Sequence, residues 1–507
     1  MPDCVRLRIG LPLAAMAFSC RLAASFVMIA VLSTLQGCSR HGESATRVAV
    51  IGDADTPFGP AARGTLAGAM VNASVGEGLV AFDAEGKVAP ALADRWIVTD
   101  EGQSYIFRLR GSPWADGGEM TAESVRNALR STIAALKGTP RSASFDAIDD
   151  IRAMTGRVIE IRLNRPMPDF LPLLAQPEMV LAHRGRQAGP MAMRQDGKVA
   201  ILTPVPPERR GLPAVDGWDQ MVRPLRLTVL PADGAVAAFN AGQVDAVLGG
   251  TFTNLPHSIH NTLGKPVLRF DPVVGLFGLA VENEDGLLAN PVNREAVSMA
   301  LDRAGFAAQI GAPGWQGTTR LIMPGSDADS GMMPERWTDI DLTARRTVAA
   351  QRIAQWVRFS KQPARLRIAL PGGPGADALA ARLGADLGAI GVQVVRVGME
   401  SPADLRLIDE VARQAGPEWF LQRFSCSLRP KVCSDKVDRL VSDALGAADA
   451  AGARPLFVQA ARALDDENVF LPLGAPIRWS LIAGDLSGFA LNRWGFHPLL
   501  PMALRSR

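Results

Sequence analysis

Three features of the sequence predict an α/β protein of two lobes. Its 507 residues exceed what one core organises, since domains run to about 100 to 200 residues. Residues 365–397 read strand, helix, strand: Leu366 to Leu370 form a strand, Leu379, Leu383, Leu387 and Ile390 share one helical face, and Val392 to Val397 return as a strand. Residues 76–129 are built differently, from short strands, tight turns and one helix, which adds an α+β subdomain to the first lobe.

Taken in order, the chain opens on a leader. Residues 22–35, LAASFVMIAVLSTL, are an apolar run of fourteen behind Arg21. A spanning helix needs about 20 apolar residues, so this run reads as the hydrophobic region of an export signal. Leu35-Gln36-Gly37-Cys38 resembles a bacterial lipobox, which places the cut after residue 37 and diacylglycerol on Cys38. Several acyl chains on one residue suffice for stable anchoring. Residues 38–46 form a polar tether. Cys4 and Cys20 leave with the leader, so Cys426 and Cys433 remain and, in an oxidising compartment, are expected to join as a disulfide. Removing Asp3, Arg6, Arg8 and Arg21 takes the net charge from +3 to +1. No basic stripe points to nucleic acid.

Arg47 to Ile51 is the first strand. Asp83 to Gly86 and Thr99 to Gly102 are acidic-glycine turns between runs of two-residue period, so hairpins follow. Ser104 to Arg110 alternates, with Arg108 and Arg110 expected in solvent. Beyond the turn at Asp116-Gly117-Gly118, Thr121 caps a helix carrying Val125, Ala128, Leu129 and Ile133 on one face. The wording of this stretch, with Glu77-Gly78-Leu79, Pro90-Ala91-Leu92-Ala93, Trp96, Tyr105 to Arg110, Trp114-Ala115-Asp116-Gly117 and Thr121 to Val125, resembles the family 5 extracellular solute-binding proteins, the peptide and nickel receptors of ABC importers. The resemblance implies the two-lobed periplasmic binding fold of type II, in its large peptide-binding subclass. It extends over nearly all of the mature chain.

The remaining elements fit that frame. Val158 to Leu163 is a strand, and Pro166 to Leu174 resembles the family's "P.P.FL..L" segment. Leu225 to Leu230 is followed by a helix to Asn240 and a strand to Val247; Gly275 to Val281 is a strand and Asn293 to Arg303 a helix. Two helices after Cys433 lead to the strand Val469 to Leu473. Lobe I is expected to hold residues 47–258 and 476–507, with the subdomain at about 84–210, and lobe II residues 259–475. The glycine turn at 372–375 is followed by no Gly-Lys-Ser/Thr, so it is a strand-to-helix turn and not a phosphate loop.

In peptide-binding members of the family, an aspartate of a G-D-P-D-x-F-L loop pairs with the peptide ammonium. Here the loop reads Ala415-Gly416-Pro417-Glu418-Trp419-Phe420-Leu421. Gly416 stands at the first acidic position and Glu418 at the second, a departure that speaks against recognition of a free amine. The resemblance adds Asp53 and Asp55, on the loop after the first strand, and Trp315 and Trp419 as cleft aromatics. His257 and His260 lack acidic or thiolate neighbours, and no metal or other cofactor is expected. No Ser-His-Asp or HExxH pattern occurs, so no enzyme is expected. The expectation is a monomeric, periplasmic lipoprotein, anchored to the cell membrane, that binds a peptide or other small polar solute and passes it to an ABC permease and ATPase complex. The alternative is a sensor or chaperone-like lipoprotein on the same scaffold that no longer transports.

Overall fold

The computed structural model describes residues 45–55, 58, 64–137, 139, 141–261, 267–331, 333–447 and 449–505. The expected leader, Cys38 and the tether up to residue 44 lie outside the described residues. Among the described residues no helix is long and apolar enough to cross a membrane.

Thr46–Ile51 is the middle of a seven-stranded sheet, ordered Leu268–Phe270, Arg478–Ile482, Ala246–Thr251, Thr46–Ile51, Leu225–Leu230, Val199–Pro204, Met191–Asp196. It runs parallel to both neighbours, with Val48 opposite Leu227 on one side and Ala246 on the other. Val48, Ala49 and Val50 are fully buried, as the unbroken apolar run of a strand covered on both faces requires. Parallel strands need crossover connections, and the helix Ala232–Asn240 supplies the one between Leu225–Leu230 and the next strand.

A second sheet has five strands, ordered Gln393–Val397, Arg365–Ala369, Leu405–Val411, Gly275–Val281, Phe470–Gly474. The predicted strand-helix-strand unit is found here: Arg365–Ala369 pairs parallel with Gln393–Val397 across the helix Pro374–Gly388. Gly275–Val281 is buried along its whole length. Two segments close to the second sheet in sequence belong to the first in space. Leu268–Phe270 lies past residue 258, and Arg478–Ile482 follows Phe470–Gly474 directly; both pair in the seven-stranded sheet.

The hairpins predicted at 83–86 and 99–102 form, the second within an antiparallel sheet ordered Ala93–Thr99, Ser104–Leu109, Val158–Leu163, Ile148–Ala153. Thr121 caps the helix Ala122–Ala135 in a capping box with Ser124. Arg110 corrects the sequence reading. It is 6% exposed, and its guanidinium pairs with the buried Glu77, which also takes Arg210. The alternation of the strand stops at Leu109. One residue later the side chain turns inward because a buried carboxylate waits there, and a charge enters a core only with such a partner.

Candidate functional site

Residues 411–419 leave the end of Leu405–Val411 and enter the short helix Pro417–Gln422. A cavity lies on either side of this loop.

The larger, of about 590 Å³, opens between the two large sheets. Ile51 and Thr251, at the carboxyl ends of two parallel strands, line it from one side, and Asp409 to Arg413 from the other. Carboxyl ends of parallel strands are where open α/β sheets hold ligands. Gly250 keeps the wall thin, since a Cβ there would collide with the Trp479 ring.

Charge in this wall is matched pair by pair. Arg478, on the first sheet, donates to Asp409, on the second, at 2.8 Å. Burial pushes the Asp409 carboxyl above its usual range, against the pull of Arg478. Arg423 meets Glu410 at 2.5 Å, and His497 meets Asp271 at 3.1 Å. Glu178 takes both Arg141, at 3.2 Å, and Arg413, at 2.9 Å. Arg413 also donates to Gln176 Oε1 at 2.8 Å, which ties the 411–419 loop to residues 176–178. Those residues are held in turn by Asn72, which donates to the Pro177 carbonyl at 2.8 Å. The Gln176 Nε2 group has no hydrogen-bond partner among the described residues.

The second cavity, of about 530 Å³, lies behind the loop. Residues 165–169, residues 320–322, 327–330 and 333, and the helices Asp435–Leu445 and Ala450–Glu467 close it. Its wall is largely apolar, with Leu321, Ile322, Leu445, Phe457 and Val458. Glu418 and Asp465 face it. Burial raises the carboxyl of Glu418, and that of Asp465 rises to about 7, again chiefly through burial.

The predicted residues fall in several places. Gly416 and Glu418 line the second cavity, whereas Trp419 lines the intersheet cavity, almost fully buried and edge-on to Phe420. A Cβ on Gly416 would collide with the Glu418 carboxylate, so Glu418 folds back over the position where the family pattern has its first acid. Trp315 lines neither cavity: it packs edge-on against Phe277 and Phe306, and its Nε1 donates to the Ala475 carbonyl at 2.8 Å. Asp53 accepts from the Asp55 amide at 2.9 Å, and Asp55 stands 89% exposed beside Lys198; neither lines either cavity. Cys426 and Cys433 are joined by a disulfide. Among the described residues no three His, Cys, Asp or Glu side chains gather as a metal site. The wall residues Arg141, Gln176, Glu178, Arg413 and Arg478 were not singled out from sequence. The one local signal was the arginine three positions before Gly416.

Residues 87–205, which contain the four-stranded sheet and its capped helix, match the family described as bacterial extracellular solute-binding proteins, family 5 Middle. The probable di/tripeptide-binding protein 5 of Pseudomonas aeruginosa is 21% identical over 475 residues, covering 82% of this chain and 87% of that protein. The family match over residues 87–205 and the similarity along most of the chain to a probable di/tripeptide-binding protein both point to family 5 of the extracellular solute-binding proteins. Another relative, the probable deoxycholate-binding periplasmic protein YgiS of Escherichia coli, is 35% identical over 129 residues. That match covers 20% of this chain and only 23% of YgiS. Among solved structures, Haemophilus influenzae OppA in complex with RPPGFSPFR superimposes with a TM-score of 0.76 at 14% identity, over 92% of this chain and 99% of that one. The murein tripeptide binding protein MppA of Escherichia coli gives 0.75 at 16% identity, over 91% and 98%. The fold is that of the two-lobed periplasmic binding proteins.

Proposed function

We propose that this protein is the substrate-binding lipoprotein of an ABC importer. It captures a peptide or other small polar solute in the intersheet cavity and hands it to a permease and ATPase complex. The observation that carries this reading is the cavity of about 590 Å³ at the carboxyl ends of parallel strands, walled by both large sheets. The two lobes, one on each large sheet and with Leu268–Phe270 and Arg478–Ile482 on the side of the first, close on the solute like a hinge. Arg413, bound to Gln176 and Glu178, is the latch. The protein is a monomer, exported to the periplasm and anchored to the cell membrane by a lipid on Cys38. Binding is its whole function, with no bond broken and no cofactor used.

Capture does not use a free amine. Each carboxylate in the intersheet wall already has an arginine or histidine, so none is left for an ammonium group. Mass spectrometry of what copurifies, followed by calorimetric titration with di- and tripeptides and their N-acetylated forms, tests the proposal. The expected result is binding that survives acetylation. A protein that carries and binds no small solute ends the transport reading, while binding abolished by acetylation ends only the statement about the amine.

A further inference from the structure

The second cavity shares no lining residue with the intersheet cavity. Its apolar wall suits a hydrocarbon body, whose burial is favoured in proportion to the apolar surface removed from water. Charge decides what the other end of the ligand carries. Six carboxyl groups line the cavity, Asp169, Asp327, Asp329, Glu418, Asp449 and Asp465, against the three arginines Arg165, Arg320 and Arg454.

Four of the six carboxyls are engaged. Asp327 has Arg493 at 2.6 Å, Asp329 has Arg320, Asp169 accepts from the Ala415 amide, and Asp449 caps its helix by accepting from the Gly452 amide at 2.8 Å. Of the arginines, Arg454 donates to the Ser330 carbonyl and Arg165 to Asn164. The carboxylates of Glu418 and Asp465 accept no hydrogen bond from any other described residue; Arg336, beside Asp465, donates at 3.3 Å to its backbone carbonyl instead. Both touch the cavity while protein surrounds them on the remaining sides, an arrangement that costs free energy until a partner arrives. A half-buried carboxylate that accepts no hydrogen bond from another residue and faces a formed apolar pocket is a site waiting for a donor.

We propose that this cavity binds a cationic amphiphile, an aliphatic amine whose ammonium group pairs with Glu418 and Asp465 and whose hydrocarbon chain lies against Leu321, Ile322, Leu445 and Phe457. The site is independent of solute capture and stands whether or not the intersheet cavity is the capture site.

Calorimetric titration of the mature protein with n-octylamine, n-octanol and octanoate separates the outcomes. The amine should bind about tenfold or more tighter than the alcohol, the range of one charge-assisted hydrogen bond, with octanoate weakest. Glu418→Gln and Asp465→Asn should each remove most of that preference and leave the alcohol unchanged. The unsubstituted protein supplies a second readout. The Asp465 carboxyl, raised to about 7, releases its proton beside an ammonium, so the apparent binding heat should change with the ionisation enthalpy of the buffer. Amine binding no tighter than alcohol binding, no amine binding at all, or a preference untouched by both substitutions would overturn the site.

Discussion

The two cavities differ in how they treat charge. Around the intersheet cavity every carboxylate has an arginine or histidine partner, and three of the pairs join distant parts of the chain: Arg478 with Asp409 across the sheets, Arg413 with Glu178 across the loop, and His497 with Asp271. Around the second cavity the wall is largely apolar, yet four of its six carboxyls have no arginine partner, and two of those, Glu418 and Asp465, lack even the backbone amide that Asp169 and Asp449 each have from another residue. The first wall spends its charges on holding itself together, so its ligand must be recognised through hydrogen bonds and packing. The second leaves charge over, so its ligand must bring the counter-charge. Similar volumes a few residues apart are thus prepared for opposite chemistries.

The largest effect should come from breaking the pair that joins the sheets. Arg478→Ala leaves Asp409 buried without its partner, and losing one member of a buried pair costs about 3 kcal/mol or more. Urea unfolding at pH 8 should show that loss. At pH 5 it should be smaller, because the Asp409 carboxyl, already raised by burial, can then take a proton and shed its charge. Converting both residues to leucine should restore most of the stability. A loss independent of pH would mean that Asp409 is not the group left exposed by the substitution.

Next in size is the disulfide. Cys426 and Cys433 are 7 residues apart and lie between the helices Pro417–Gln422 and Asp435–Leu445, the second of which walls only the second cavity. Replacing both with serine should cost about 2 kcal/mol for a loop this short. Octylamine affinity should fall more than the affinity for the copurifying solute. Arg413→Ala should do the reverse: a loss of about 1 to 2 kcal/mol, or about tenfold, in solute affinity, with octylamine unaffected. Equal effects of either change on both ligands would show that the loop couples the cavities.

Most secondary structure was legible because it depends on neighbours in sequence. Two-residue alternation marks Val158–Leu163, helical spacing marks Pro374–Gly388, and Thr121 with Ser124 announces a helix start. The cavity walls were not legible, because their pairs are made at a distance: Arg413 and Glu178 are 235 residues apart, Arg478 and Asp409 69. Nothing local distinguishes Arg413 from a solvated arginine until Glu178 is brought opposite. Arg110 misled for the same reason, since its partner Glu77 is 33 residues back. Glu418 was visible by its place in a motif, but only the fold shows that it faces a different cavity from its neighbour Trp419.

The smallest predicted effect sharpens the comparison from the side of pH. The Asp465 carboxyl rises from 3.8 to about 7 in the folded protein, with burial as the main cause. Its folded value therefore exceeds its unfolded value, and the native state binds the extra proton between those limits. Stability contributed by this group is complete below pH 3.8 and is lost as pH rises towards 7. A fully walled-off carboxyl would give about 4 kcal/mol across that interval. One that faces a cavity open to solvent should give nearer about 1 kcal/mol. Asp465→Asn cannot ionise and escapes the loss, so its melting temperature relative to the unsubstituted protein should climb from pH 4 to pH 8 by about 1 to 2 °C. Adding octylamine at pH 8 should reverse the order, because the amine stabilises only the chain that still has a carboxylate to offer. A melting difference that falls as pH rises would mean that Asp465 is ionised and already paired, and the contrast between the two walls would disappear.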